Sequence, residues 1–324
     1  MSEEEEFKAF GKKQFESIED LPISSMTLAK LRKSGYESVE IISQCMPREL
    51  EEATGVSNDI AKKLIEACKG SLDLSFEKGS DVLLRRQAIE KISTGSEEFD
   101  ALLGGGVETQ AVTECYGRYS SGKTQVGFQL CVNVQLPKSE GGLEGEVVFI
   151  DTESTFRPER IKQMADARGM DGGEVLSKIH VARAMNSNHQ MLLLNKAEEL
   201  LRQGKVKLVV VDSLTAAFRS DYLGRETLNA RQQMLNKHIH MLLKFAERYN
   251  SAVYVTNQVM DNPGILFGDP TTPIGGNVVA HTTSYRLYLR RSKEDRRIAK
   301  LVDSPNLPDG ECVFRVTEKG LEDA

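Results

Sequence analysis

The chain has 324 residues, room for one large domain and a small one, with 40% hydrophobic and 28% charged residues, 26 glycines and 9 prolines. That balance is globular and excludes a collagen-like or wholly disordered chain. No apolar run is long enough to cross a bilayer, and the Met-Ser-Glu-Glu-Glu-Glu start is opposite in charge to a secretory or organellar leader, so a soluble protein without membrane contact is expected, cytoplasmic, or nuclear if its source is eukaryotic.

Residues 1–16, with the Glu3 to Glu6 run, read as a solvated acidic tail. Over 17–70, Leu28, Leu31, Val39, Ile42, Leu50, Ile60, Leu64 and Ile65 recur at roughly helical spacing between Pro22, Gly35, Pro47 and Gly55, which predicts a small all-α domain. Residues 71–82 alternate like a strand around Gly79 and are read as a linker. From 83 to 324 strands and helices alternate: strands near 111–116, 147–150, 207–211, 252–256 and 285–290, helices near 122–135, 158–168, 190–203 and 229–249, and further strands at 298–303 and 312–316. This rhythm predicts an α/β core with a mostly parallel sheet flanked by helices.

The five cysteines, Cys45, Cys68, Cys115, Cys131 and Cys312, form no CxxC pair and are expected to be reduced and mostly buried. His238 and His240, two apart in a helical stretch, point to different faces and are read as helix-surface residues rather than metal ligands. The net charge, 42 basic against 48 acidic residues, is −6. Even so, Arg286, Arg290, Arg291, Lys293, Arg296, Arg297 and Lys300 form a local basic stripe that leaves phosphate binding open.

Gly117, Arg118, Tyr119, Ser120, Ser121, Gly122, Lys123 and Thr124 match G-x-x-x-x-G-K-[ST], directly after a strand and opening a helix. In such a loop backbone N–H groups wrap phosphates, Lys123 reaches the β and γ oxygens, and Thr124 holds Mg²⁺. Asp212 ends an apolar strand at the sheet edge where ligands of such folds sit, and is read as the acid on the Mg²⁺ side. Asp151 and Glu153 end another strand. They either cap the next helix or supply a base for the attacking water, and Glu153 is preferred as that base.

After Asp212, Arg219, Arg225 and Arg231 recur at equal intervals, either as ordinary surface charge or as phosphate contacts. A long irregular stretch follows Gln258 and carries an apolar centre, Ile265, Leu266 and Phe267, which either packs back or inserts between bases.

The stretches Gly122-Lys123-Thr124-Gln125, Ile150-Asp151-Thr152-Glu153, Thr155-Phe156-Arg157-Pro158-Glu159-Arg160, Ala230-Arg231-Gln232, Thr256-Asn257-Gln258, Pro273-Ile274-Gly275-Gly276-Asn277 and Asp303-Ser304-Pro305 together resemble the RecA/RadA-type family of DNA strand-exchange ATPases, over nearly the whole chain. The resemblance implies a RecA-type P-loop ATPase core behind a helix-hairpin-helix-like domain. It implies a homo-oligomer, filament or ring, with ATP and Mg²⁺ between neighbouring subunits, acting on single- and double-stranded DNA with possible recombination mediators as partners. Glu153, Lys123 and Gln258 would be catalytic, Gln258 sensing the γ-phosphate. Gln125 belongs to the loop and Arg160 lies beside the base, while His281, Asp303 and Pro305 would reach the nucleotide from the adjacent subunit. Arg219, Arg225, Arg231 and residues 265–267 would contact DNA, giving the sequence-independent affinity that phosphate contact supplies. Phe76 and Gly79 match the polymerisation motif.

Three departures stand out. Tyr119-Ser120 replaces Phe-Gly in the phosphate loop, and Ser154 follows Glu153 where glycine is usual. Leu21-Pro22-Ile23-Ser24-Ser25 lacks the glycines of the first hairpin turn. The departures keep a second expectation in play, a mediator that binds ATP without exchanging strands. A RecA-like ATPase acting on a protein substrate is disfavoured by the DNA loops.

Overall fold

The computed structural model describes residues 15, 17–21, 23–36, 38–71, 77–224, 226–261 and 271–324. Two compact units meet at Arg85 and Arg86. The acidic run, Phe76, Arg225 and residues 265–267 lie outside the described residues.

The N-terminal unit holds helices α1 (Ser25–Lys33), α2 (Val39–Ser43), α3 (Pro47–Thr54) and α4 (Asn58–Ser71). Their starts follow from local chemistry. Ser24 accepts a hydrogen bond from the Thr27 amide at 3.1 Å, Ser38 accepts one from Ile41 at 3.3 Å, and Pro47 occupies the first turn of α3. Gly55, at φ +67°, ends α3 in the left-handed region. The helical spacing delivers its core, with Leu31, Ile42, Leu50 and Leu64 fully buried and Leu28 and Ile60 at its margin.

Helix α5 (Gly79–Gln87) runs across the boundary. Within 71–82, read as a linker with strand-like alternation around Gly79, the structure opens a helix at Gly79. Asp81 in its first turn and the run of good helix formers from Leu83 to Arg86 outweigh a pattern only a few residues long.

In the second unit β1 (Lys91–Ile92) pairs antiparallel with β2 (Val107–Glu108), across α6 (Glu97–Leu102). The main sheet has nine strands in the order β13-β12-β11-β10-β3-β7-β6-β4-β5. Six are parallel: β3 (Val112–Tyr116), β4 (Glu146–Asp151), β5 (Ile179–Arg183), β6 (Val206–Asp212), β7 (Ala252–Asn257) and β10 (Tyr285–Arg291). The other three, β11 (Arg296–Asp303), β12 (Gly310–Thr317) and β13 (Gly320–Asp323), add an antiparallel meander at one edge.

The near-continuous apolar runs of β4, β6 and β7 are buried on both faces, as covered parallel strands require, and β3 is equally buried although Thr113 and Glu114 interrupt it. One face packs α7 (Lys123–Asn133) and α8 (Pro158–Ala167) around Phe128, Phe149 and Phe156; the other packs α10 (Ser187–Leu201) and α12 (Leu228–Tyr249) around Leu194, Ile239 and Leu242. Helix α9 (Gly172–Ser177) and strand β5, which were not read from sequence, complete the opposite edge. Strand β5 escapes notice because an edge strand leaves His180, Val181 and Arg183 at least partly exposed, so no apolar run marks it. Four of the five thiols are buried and Cys45 is half-buried, and none of the five is in a disulfide.

His238 departs from the surface reading. It is fully buried, packs on Phe218 and approaches Gln190 Nε2 at 3.0 Å, while His240 is exposed. The buried face of α12 runs Leu235, His238, Leu242, Phe245, and His238 stands on that stripe. Burial depresses its pKa from 6.5 to about 4. The unfolded chain therefore takes up a proton near pH 6.5 that the folded chain refuses until about pH 4. Stability present above pH 6.5 is lost as pH falls through that window, by on the order of 3 kcal/mol. Urea melts at pH 7.5 and 4.5 should show this loss, and a His238→Gln variant should show a flatter profile.

Candidate nucleotide site and its loops

Strand β3 delivers the chain into the phosphate loop, and two glycines there are fixed by geometry. A Cβ on Gly117 would lie 2.1 Å from the Leu289 carbonyl oxygen of β10. Gly122 takes φ +105° to open α7, whose first N–H groups face the loop. Ser120 and Ser154, the two serines that stand where glycine is usual, take φ +60° and +58°. Both keep the left-handed path a glycine would follow, at about 1 kcal/mol each. Tyr119 points outward, 97% exposed.

Lys123 folds over the loop, its Nζ donating to the Gly117 and Arg118 carbonyls at 2.8 and 3.0 Å. Burial pulls its pKa down, opposed by Cys115, Asp212 and Glu153. Thr124 Oγ1 donates to Asp212 Oδ2 at 2.8 Å, and Thr155 Oγ1 reaches the same oxygen at 2.8 Å. Thr256 Oγ1 donates to the other oxygen, Oδ1. A hydroxyl and a carboxylate at this separation form the oxygen pair that Mg²⁺ takes beside phosphates, so the residues present fit that ion.

Sheet register sets Asp151 beside Asp212. Asp151 accepts the backbone N–H groups of Glu153, Thr155 and Phe156, each at 3.1 Å, and so shapes the turn that aims Glu153. Glu153 is exposed at the loop surface, yet desolvation of its carboxyl first, and then the Asp212 charge, raise its pKa. Gln258 Nε2 donates to Glu153 Oε1, and Arg219 Nη1 donates to Gln258 Oε1 at 2.9 Å. Residues predicted separately as base, sensor and DNA contact thus form one hydrogen-bonded chain. Arg219 and Gln258 also line a cleft of about 330 Å³ with Ala216, Ser220 and Leu223.

Arg160 Nε donates to Gln125 Oε1 at 2.8 Å and its Nη1 to the Glu318 carbonyl at 2.7 Å, which holds it beside the start of α7. Arg118 reaches Thr271 Oγ1 at 3.4 Å, where the second loop returns. Arg231 lies in the first turn of α12, half-buried. Gly79 opens α5.

The structure does not bring His281, Asp303 and Pro305 to this loop. Asp303 is level with Arg286, which is level with Glu114. From there the chain carries Pro305 toward the N-terminal edge of the parallel strands, whereas the phosphate loop leaves their C-terminal edge. His281 lies in the last turn of α13 (Gly276–Thr282), three residues before Ser284, whose N–H donates to the Val112 carbonyl at that same N-terminal edge.

Sequence reasoning gave no role to Thr155 and Thr256, which hold Asp212, and left Asp151 open between helix cap and base; the structure has it build the Glu153 turn. Arg297 of β11 lies against the loop: its Cγ is 3.6 Å from where a Cβ on Gly122 would sit, and its buried Nε has no hydrogen-bond partner. Such a cation at a helix N-terminus suits an anion between them. Its place in a basic stripe hid it, because spacing along a strand does not reveal which arginine turns inward.

The fold and this site define a RecA-type P-loop nucleotide-binding protein. The sequence profile of the Rad51 family matches residues 85–324. The chain is also 51% identical over 317 residues to the "DNA repair and recombination protein RadA" of Methanoculleus marisnigri, covering 94% of this chain and 98% of that protein. The chain belongs to the Rad51 family.

Proposed function

We propose that the chain is an ATP-dependent DNA recombinase that assembles on single-stranded DNA, pairs it with a homologous duplex and exchanges strands in recombinational repair. The hydrogen-bonded chain from Glu153 through Gln258 to Arg219 carries this reading, because it joins a nucleotide site to an arginine-bearing loop. Family membership and the RadA relative support it.

Lys123, Thr124 and the α7 N-terminus hold the triphosphate, with Arg160 and Gln125 beside the base. Mg²⁺, held by Thr124 and Asp212, neutralises phosphate charge when bound. Glu153, raised in pKa by desolvation, accepts a proton from the attacking water and is aimed by the Asp151 turn. Gln258 exchanges its contact with Glu153 for one with the γ-phosphate. Arg219, Arg225 and Arg231 contact DNA phosphates, with residues 265–267 between bases. His281, Asp303 and Pro305 reach a neighbouring subunit's nucleotide, a role that their place away from their own phosphate loop supports. Residues 17–70 form the helical domain, 71–82 the linker whose Phe76 and Gly79 join subunits, and 83–324 the ATPase core. No helix among the described residues is long and apolar enough to cross a membrane. Action on nucleoid DNA in the cytoplasm follows from this reading.

The test is strand exchange with purified protein, ATP, Mg²⁺, a single strand and a homologous duplex. Joint molecules are expected with the homologous duplex and none with a non-homologous one. Intact ATP and DNA binding without joint molecules would instead make the chain a mediator of another filament.

A further inference from the structure

Behind the sensor glutamine lies a buried polar cluster that none of the roles above uses. Glu114 of β3 has a side chain with no exposure, and its Oε2 accepts from Arg286 Nε at 2.7 Å. The Arg286 guanidinium sits 5.4 Å from the Tyr116 ring centroid. The other carboxylate oxygen accepts from Asn257 Nδ2 at 2.7 Å. The same Asn257 nitrogen donates to the Ile274 carbonyl at 2.6 Å, and Asn257 Oδ1 accepts from Thr215 Oγ1 at 2.7 Å. Both amide donors and the amide oxygen are thus engaged, in a residue with no exposed surface. An apolar side chain would fill this place without the need for a buried charge, so packing alone does not call for the cluster.

What the cluster touches is informative. Thr215 directly precedes α11 (Ala216–Asp221), which carries Arg219. Ile274 is where the second loop rejoins the fold, and its N–H bonds the Gln258 carbonyl at 3.0 Å. Three consecutive side chains therefore divide the work: Thr256 holds Asp212, Asn257 grips the cluster, and Gln258 spans Glu153 and Arg219.

We infer that Asn257, clamped by Glu114 and Thr215, is a positioning residue that sets Gln258 between Glu153 and Arg219 and ties the roots of both loops to it. It thereby couples nucleotide occupancy to DNA binding. This rests on the recombinase reading above. Asn257 touches neither Lys123, Thr124 nor Asp212, so its loss should leave nucleotide binding in place. A shift of its backbone would misplace Gln258 through the peptide they share, and contacts of this kind lose effect over small displacements.

The experiment compares the full-length wild type with Asn257→Asp and Thr215→Val. Three quantities are read: affinity for a fluorescent ATP analogue, affinity for a labelled oligothymidylate with and without ATP, and ATP turnover with and without DNA. Asn257→Asp removes both donors and sets a second carboxylate beside Glu114. Thr215→Val keeps shape and removes one hydroxyl, which keeps the test open if the first variant folds poorly. In the variants the mutual enhancement of ATP and DNA should fall, by about tenfold in Asn257→Asp and about threefold in Thr215→Val, with analogue affinity and DNA-free turnover near wild type. Wild-type enhancement in a folded variant would overturn the inference. So would a parallel loss of analogue affinity, enhancement and melting temperature in Thr215→Val, which would mark the cluster as scaffolding. Absence of mutual enhancement in the wild type itself would remove the recombinase reading, and this inference with it.

Discussion

Replacing Glu153 by Gln is expected to lower ATP turnover by about a thousandfold while nucleotide affinity stays within a few-fold of wild type. The amide keeps the side chain's size and can still accept from Gln258, but it cannot take the proton of the attacking water. Because Lys123, Thr124 and Asp212 are untouched, ATP-dependent DNA binding should persist, and complexes should live longer under the proposal that hydrolysis serves release rather than pairing. Single-turnover hydrolysis and a filter-binding decay measure the two effects. The wild-type pH profile gives a companion check: desolvation and Asp212 raise the Glu153 pKa, so its acid limb should lie above the ordinary glutamate range and vanish in the variant. Turnover equal to wild type in Glu153→Gln would transfer the role of base elsewhere.

The second large effect concerns Lys123→Ala. The ammonium braces the loop through the Gly117 and Arg118 carbonyls and, in the proposed reading, is the cation that would meet the triphosphate. Its removal should weaken nucleotide binding by roughly a hundredfold or more, the scale seen when a preorganised donor to developing charge is lost. Nucleotide-dependent DNA binding should disappear with it. Isothermal titration with ATP and Mg²⁺, alongside DNA anisotropy, separates the two readouts. Filaments that persist unchanged in ATP would contradict the assignment of the loop.

Much of the candidate site was legible in sequence because P-loop chemistry is local. The glycines, Lys123 and Thr124 act within one strand-loop-helix passage, so their spacing alone states their task. Asp212 and Glu153 were legible at one remove, as carboxylates closing apolar strands, since strand ends of a parallel sheet converge on one edge. Asp151 was harder to assign, because a carboxylate after a strand serves equally as cap or base. The backbone N–H groups it accepts decide between those uses.

The amino-acid sequence by itself determined the class of fold, the phosphate loop, the central buried strands and the α4 and α12 helical stripes. Each of these is written in a period or a spacing over neighbouring residues, where steric and hydrophobic preferences act without reference to the rest of the chain. Only the tertiary structure decided that His238 faces the core, that β5 closes an edge and that Ser120 and Ser154 follow the left-handed path. It alone showed Arg297 turning toward Gly122, and Glu153, Gln258 and Arg219 meeting. The physical reason is sequence separation: Gln258 lies 105 residues from Glu153 and 39 from Arg219. Their contact exists because sheet order and register bring the ends of β4, β6 and β7 together, and no local pattern carries that information.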